Sequence, residues 1–201
     1  GLTKLWFGVR QAQDPELPGT VPDLVERVNV EIGPGVAQPV HVVHVCGNCC
    51  PAHEPEVPEG PAEPFPQPHT DCGCEPRCDG SGVQVTVVDT GLVANAAQDH
   101  PWMHGVTGDP EDTLEADNVH IRDYGGHGTF VAGCVRVTAP KASVHVDGTM
   151  AAAGVLFEDA LVKKLGPALV KKSPDIVVFS FAARTLGNLP PWPVRIQARE
   201  A

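Results

Sequence analysis

The amino-acid sequence predicts an α/β fold built on a doubly wound parallel sheet in three layers. Residues 83–88 and 176–181 are apolar runs rich in β-branched residues, as is typical of strands buried on both faces of a sheet. Between them, apolar residues recur at helical spacing after residue 127 and over residues 151–172. Strands that alternate with helices in this way predict a parallel sheet with right-handed crossovers.

Composition limits the classes of function. The 201 residues are 42% hydrophobic and 19% charged, which suits one sizeable core, either alone or with a small appendage. The net charge of −11 argues against nucleic acid as a partner, because phosphate binding needs a basic surface. No apolar run reaches the roughly 18 residues of a membrane span, so no span is expected. No secretory signal is visible, which leaves the compartment open.

Changes in composition divide the chain into four regions. Residues 1–45 form an N-terminal extension or subdomain, with a strand predicted over 2–9, a helix over 21–30 and a strand over 36–45. Residues 46–80 are a Cys/Pro-rich insertion or linker. Residues 81–189 hold the α/β pattern, with a further strand predicted over 118–122, and residues 190–201 are an irregular tail.

Six of the seven cysteines lie in the region 46–80, and their role stays open between three states. A zinc site would take Cys46 and Cys49, which have the spacing of structural sites, together with Cys72 and Cys74. Alternatively, three disulfides would staple a region that is too poor in apolar residues to fold alone. Free thiols are the third possibility.

Two short motifs carry the chemistry. The run 83–88 ends in Asp89-Thr-Gly, so a buried strand delivers a carboxylate at its carboxyl end. The segment Tyr124-Gly-Gly-His127-Gly-Thr-Phe-Val-Ala-Gly predicts a glycine turn that opens a helix with His127 in its first turn. Asp-Thr-Gly alone also occurs in aspartic peptidases, where two carboxylates share a proton. Here Leu92 follows it and no second copy occurs, so a dimer would have to supply the partner.

Together, the two motifs resemble the Asp and His motifs of the subtilisin-like serine peptidases, or subtilases. The order agrees, and His127 follows Asp89 by 38 residues, which suits that family. The resemblance implies that residues 81–189 are part of a subtilisin-like catalytic domain. It implies that Asp89 orients the imidazole of His127 and that His127 is the general base of an Asp-His-Ser triad.

The resemblance also assigns other parts of the chain. Ser180, Phe181 and Ala182 match the edge that pairs with the main chain of a substrate. Subtilases often bind calcium through loops, and the acidic loop 92–118, which includes Glu111, is otherwise predicted to be a solvated surface loop. Apart from the resemblance, the helical spacing of apolar residues after His127 predicts that Phe130, Val131, Cys134 and Val135 face the core.

The resemblance ends before the nucleophile. The family's Gly-Thr-Ser phrase and its oxyanion-hole Asn are both absent, and none of the four serines has a nucleophile-like context. The chain alone is therefore expected to be inactive, with the rest of the catalytic domain as a partner. Subtilases act on peptides and proteins and are often secreted. A non-catalytic peptide-binding module and a zinc-binding protein built on the cysteine clusters remain as alternatives.

Overall fold

The structure, a computed structural model, describes residues 3–4, 20–45, 79–150, 153–191 and 195. Within them it contains α-helices, a four-stranded parallel sheet and a separate three-stranded antiparallel sheet. The helices are α1 (Val21–Ile32), α2 (Ala96–Asp99), α3 (His127–Thr138) and α4 (Glu158–Lys172), with 3₁₀ turns at Pro101–Met103 and Leu186–Asn188. The strands are β1 (Val42–Val45), β2 (Gln84–Val88), β3 (Thr107–Gly108), β4 (Ser143–Asp147), β5 (Val155–Phe157), β6 (Ile176–Phe179) and β7 (Phe181–Ala183).

The parallel sheet has the strand order β3-β4-β2-β6. Val88 at the end of β2 lies opposite Asp147 on β4 and Phe179 on β6, so the three longer strands end at a common edge. The predicted α/β class and the parallel sheet are therefore confirmed. In parallel sheets, functional side chains gather at this carboxyl edge.

The antiparallel sheet has the order β5-β1-β7 and joins the N-terminal region to the rest of the chain. In β1, Val43 and Val45 are buried and Val42 is exposed, as expected for a strand with one face on the core. Val43 and Val45 belong to a core cluster with Met150 and Leu161. The amide of Val45 also donates to the carbonyl of Gly154, at 2.8 Å.

Helix α3 covers the parallel sheet with small residues. Gly128, Ala132 and Gly133 are its buried positions. Phe130 is 70% exposed and Cys134 is exposed, so the prediction that both face the core is wrong. The other two predicted positions, Val131 and Val135, are partly buried and pack against the core cluster, so the prediction is confirmed for them.

Four predicted elements differ in extent from the structure. The helix predicted over 151–172 begins only at Glu158, because Val155–Phe157 pairs with β1 as a strand. It continues through Pro167. The strand over 36–45 is limited to β1, and the strand over 176–181 divides at Ser180 into β6 and β7, which join different sheets. Residues 118–122 form turns and one isolated bridge instead of a strand.

Several predictions lie outside the described residues. These are the strand over 2–9 beyond residues 3 and 4, nearly all of the Cys/Pro-rich region 46–80, and most of the tail. The predicted helix near residue 21 is present as α1, which is capped by the Thr20 hydroxyl. None of the helices in the described part of the chain is both long and apolar enough to cross a membrane.

Candidate functional site

Asp89 follows directly on β2 and is completely buried. Its backbone continues the ladder, since its N–H donates to the carbonyl of Asp147 at 2.9 Å and its carbonyl accepts from Met150 at 3.0 Å. Its side-chain Oδ1 accepts the N–H of Thr90 at 2.8 Å. The carboxylate is thereby held in one orientation at the carboxyl edge of the parallel sheet.

The imidazole of His127 meets this carboxylate. Nδ1 of His127 lies 2.8 Å from Oδ1 of Asp89, and the histidine side chain is 19% exposed. With Nδ1 donating to the carboxylate, Nε2 is the nitrogen with a free lone pair. An imidazole held in this way can accept a proton at Nε2, and the carboxylate stabilises the cation that forms.

Two glycines allow α3 to begin so close to the sheet. Gly126 is the N-cap residue and has a φ of 84°, a left-handed conformation that favours glycine. At Gly128, a Cβ atom would lie 2.5 Å from the carbonyl oxygen of Gly91. Side chains at position 128 are therefore excluded by the backbone that follows Asp89.

Polar side chains hold the backbone on both sides of His127. The N–H of Gly126 donates to Oε1 of Glu111 at 3.0 Å, and the N–H of Gly128 donates to the hydroxyl of Thr90 at 3.0 Å. The prediction that residues 92–118 are a solvated surface loop is therefore wrong at Glu111. Its acidic surroundings hid this contact, because nothing in the local sequence distinguishes Glu111 from its exposed neighbour Asp112. The prediction is also wrong where the segment forms α2 and β3 and where Ala96 and Met103 enter the core.

Burial raises the pKa of the Glu111 carboxyl above its usual value, and the nearby charge of Asp89 acts in the same direction. The Thr90 side chain, the Gly126 N–H and the charge of His127 act against this rise. Oε2 of Glu111 and Oδ2 of Asp89 are both buried without a hydrogen-bond partner in the described part of the chain. The site thus holds two carboxyl groups with unsatisfied oxygens beside one imidazole.

The expected substrate edge is already paired with this chain itself. Phe181 and Ala182 lie in β7, opposite Val45 and His44 of β1, while Ser180 joins β6 to β7. On its other side, β1 pairs antiparallel with β5. Residues 42–45 thus form the central strand of this sheet, and β7 is an end strand that pairs with β1.

The core cluster around β1 adjoins the Asp89–His127 pair. Tyr124 packs against the cluster that contains Val43 and Val45, and its carbonyl accepts the N–H of His127 at 3.1 Å. Met150, in the same cluster, donates its N–H to the carbonyl of Asp89. The core cluster that holds β1 is therefore linked to the backbone of both Asp89 and His127.

None of the four serines is hydrogen-bonded to His127, whose ring bonds to Asp89 within the described residues. Ser81 and Ser173 precede β2 and β6, and Ser143 is the first residue of β4, so all three lie toward the amino edge of the parallel sheet, opposite Asp89. Ser180 lies at the same edge as Asp89, between β6 and β7. The structure brings together two members of the expected triad.

The predicted zinc ligands Cys46, Cys49, Cys72 and Cys74 lie outside the described residues. Within residues 20–45, 79–150 and 153–191, no group of three or more His, Cys, Asp or Glu side chains is arranged to hold a metal ion. The zinc and calcium expectations therefore stay predictions.

No protein-family model matches this chain, and no curated protein matches it.

Proposed function

We propose that this chain is the N-terminal part of the catalytic domain of a subtilisin-like serine endopeptidase. The observation that carries the proposal is the 2.8 Å contact between Nδ1 of His127 and the buried Oδ1 of Asp89. A carboxylate that orients an imidazole, with the other ring nitrogen free, is the base half of a serine-hydrolase triad. The motifs, their order and their spacing support the same family.

The proposed reaction uses Nε2 of His127 as the general base. It takes the proton of a serine hydroxyl while the serine oxygen attacks the carbonyl carbon of the scissile peptide bond. The resulting imidazolium then gives that proton to the leaving amine, and water repeats the sequence on the acyl-enzyme. Asp89 stays ionised throughout and stabilises the imidazolium.

The nucleophilic serine is proposed to come from protein outside these 201 residues. The serines at the amino edge of the sheet are remote from Asp89, and Ser180 belongs to the proposed peptide-binding segment. The proposed complete sheet would be the three-layer, doubly wound sheet of subtilases, extended beyond β6. Phe179 on β6 and Phe130 on α3 are large apolar residues, 46% and 70% exposed, that such an extension would cover.

Peptide or protein substrates are proposed to bind as an extended strand beside β7. Phe181 and Ala182 supply the backbone edge, and Ser180 precedes it. In this chain β1 pairs with one side of β7. Among the described residues β7 is an end strand of its sheet, so a substrate would either replace β1 or pair with the other side of β7.

The same observation favours a second candidate, a non-catalytic module that binds peptides between β5 and β7. A binding assay and an activity assay together distinguish the peptidase from the binding module. Both candidates predict that a synthetic peptide with the sequence of residues 38–45 binds to a variant whose own β1 is displaced. Only the peptidase predicts that an extended substrate is cleaved once the serine is present.

The aspartic-peptidase alternative has less support. Oδ1 of Asp89 faces an imidazole, whereas a proton-sharing dyad needs a second carboxyl within hydrogen-bond distance of the first. A zinc-binding role for the cysteines is compatible with the peptidase proposal, and zinc analysis of the purified protein with and without Cys46→Ser tests it separately.

A serine-directed fluorophosphonate tests the proposal. We expect that it does not label the 201-residue chain, because none of its serines is activated. It should label the protein that contains a Gly-Thr-Ser segment in addition, and His127→Ala should abolish that labelling. Labelling of the 201-residue chain would contradict the assignment of the nucleophile, and labelling that survives His127→Ala would contradict the role of His127.

A further inference from the structure

Glu111 lies on a backbone segment whose position is tied to Asp89. Its N–H donates to the carbonyl of Leu92 at 3.1 Å, and the N–H of Leu92 donates to the carbonyl of Asp109 at 2.8 Å. The segment 109–111 thus runs alongside the chain that leaves the catalytic carboxylate. Any side chain at position 111 starts from a fixed point beside the site.

The carboxylate of Glu111 reaches from this point to the turn that carries His127. Oε1 accepts the N–H of Gly126, which is the N-cap residue of α3. No side chain of its own caps this helix, so Glu111 satisfies one of the amides that a helix start leaves open. On the other side of His127, the Thr90 hydroxyl accepts the N–H of Gly128.

These two bonds hold His127 from both sides. One of the two residues, Thr90, follows Asp89 in the sequence. The other, Glu111, is connected to the end of the strand by the backbone hydrogen bond to Leu92. A turn held at residues 126 and 128 leaves residue 127 little freedom to move relative to the carboxylate. Misplacement of a catalytic group by about 1 Å lowers a rate roughly a hundredfold, so such anchoring matters to the reaction.

A neutral acceptor would be enough to hold Gly126. The carboxylate instead leaves Oε2 buried without a partner in the described residues, which opposes folding. The charged groups that act on Glu111 are Asp89, from the end of β2, and His127, from α3. A second negative charge at this place favours the imidazolium that forms during the reaction.

We propose that Glu111 is a positioning residue of the site, which fixes the turn bearing His127 through Gly126 and couples its own charge to that of the imidazole. The inference rests on the proposed function, since it assigns Glu111 a part in the action of the Asp89–His127 pair. Glu111 acts through other groups and does not touch the reacting atoms.

The amide of Gly126 reports directly, in the 201-residue chain, on the coupling between the charges of Glu111 and His127. Its ¹H and ¹⁵N chemical shifts, followed by NMR from pH 3 to pH 8, should titrate with Glu111, at a midpoint above the usual glutamate value because burial raises the pKa of this carboxyl. His127→Gln should move the midpoint upward, because the opposing charge is lost. Asp89→Asn should move it downward, because a like charge is lost.

Substitutions at position 111 separate charge from hydrogen bonding. Glu111→Gln keeps an oxygen acceptor, so the Gly126 shifts should stay near their wild-type low-pH values while the acidic titration disappears. Asp112→Asn removes the charge of the exposed neighbour that pairs with Arg122, and it should leave the midpoint in place. If Glu111 only capped the helix, the midpoint of the Gly126 titration would be the same in wild type and in His127→Gln.

The inference is overturned if Gly126 does not titrate in the wild type, or if its midpoint is the same with and without the His127 imidazole. These wild-type and His127→Gln measurements need no variant at position 111, so a poorly folded Glu111 variant does not block the test. Failure here with successful fluorophosphonate labelling would refute the role of Glu111 alone. Absent labelling with a coupled titration would refute the peptidase proposal alone.

Discussion

Val45 lies opposite Phe181 in an antiparallel pair, so a strand from the N-terminal region pairs with one side of the segment where a substrate peptide is expected. Val45 is 1% exposed, whereas Val42 on the same strand is 44% exposed. The buried face of β1 therefore holds the strand in place, and the exposed face is open to substitution. This difference allows a matched test of whether the strand can be displaced.

Val45→Asp should detach β1 from β7. A buried carboxylate without a partner costs roughly 3 kcal/mol or more, which exceeds what one short strand gains from its two neighbours. Hydrogen exchange at the amides of β7 and β5 should become faster, while exchange in β2 and β4 stays slow. Val42→Asp, the control, should leave exchange in β7 nearly unchanged. Equal acceleration in both variants would contradict the assignment of Val45 as the anchor.

Glu158 anchors the beginning of the same strand. It is 2% exposed, its Oε1 accepts the backbone N–H of His41 at 3.1 Å, and the same oxygen lies 3.3 Å from Nδ1 of the imidazole. Glu158→Ala leaves these buried groups unpaired and should lower the free energy of unfolding by about 3 kcal/mol, measured in urea.

The exposed pair Arg27–Glu31 provides the control for this prediction. Glu31→Ala should change the free energy of unfolding by about 0.5 kcal/mol or less, because exposed ion pairs contribute little. Similar losses in the two variants would show that the Glu158–His41 contact does not hold the strand.

Substitution of glycine by alanine should lower the stability more at position 128 than at position 126. Gly128→Ala places a methyl group 2.5 Å from the carbonyl oxygen of Gly91, so α3 must move away from Asp89. We expect a loss of about 2–3 kcal/mol in stability. Gly126→Ala meets nothing within 4 Å and is opposed only by its φ of 84°, at about 1 kcal/mol. A larger effect at Gly126, measured by urea unfolding, would contradict the close approach of α3.

The raised pKa of Glu111 predicts a pH dependence of stability. Burial disfavours the ionised carboxyl in the folded state, so ionisation destabilises the fold. The penalty is absent below the ordinary glutamate pKa and develops fully as the pH rises past the folded-state pKa. Glu111→Gln removes it, so the variant should gain stability relative to wild type between pH 4 and pH 7. Urea unfolding at both values checks this, and a relative loss over that interval would contradict it.

The central part of the fold could be predicted because its signals are local. The runs at 83–88 and 176–181 need no partner to be identified as strands, and the motifs at Asp89 and His127 place a carboxylate and an imidazole at one sheet edge. The role of β1 could not be predicted, because its partners Val155–Phe157 and Phe181–Ala183 lie more than 100 residues along the chain. Local pattern assigned residues 155–157 to a helix, and pairing with β1 outweighed it.

Side-chain placement in α3 was predicted only in part. Val131 and Val135 pack against the core cluster, but Phe130 and Cys134 face outward because the buried face of the helix includes Gly128 and Ala132. Glu111 was hidden for a related reason, since its contact with Gly126 joins a loop to a helix start 15 residues away. Neither the orientation of α3 nor the contact between Glu111 and Gly126 has a local signature in the sequence.

The role of Asp89 is tested most directly by the kinetics of Asp89→Asn in the protein that contains the nucleophilic serine. The substitution keeps the size of the side chain but removes the charge and permits the wrong imidazole tautomer. We predict that kcat for peptide hydrolysis falls about 10⁴-fold while KM changes little, because the interaction acts in the transition state. A kcat within tenfold of wild type would show that the Asp89–His127 contact does not drive catalysis.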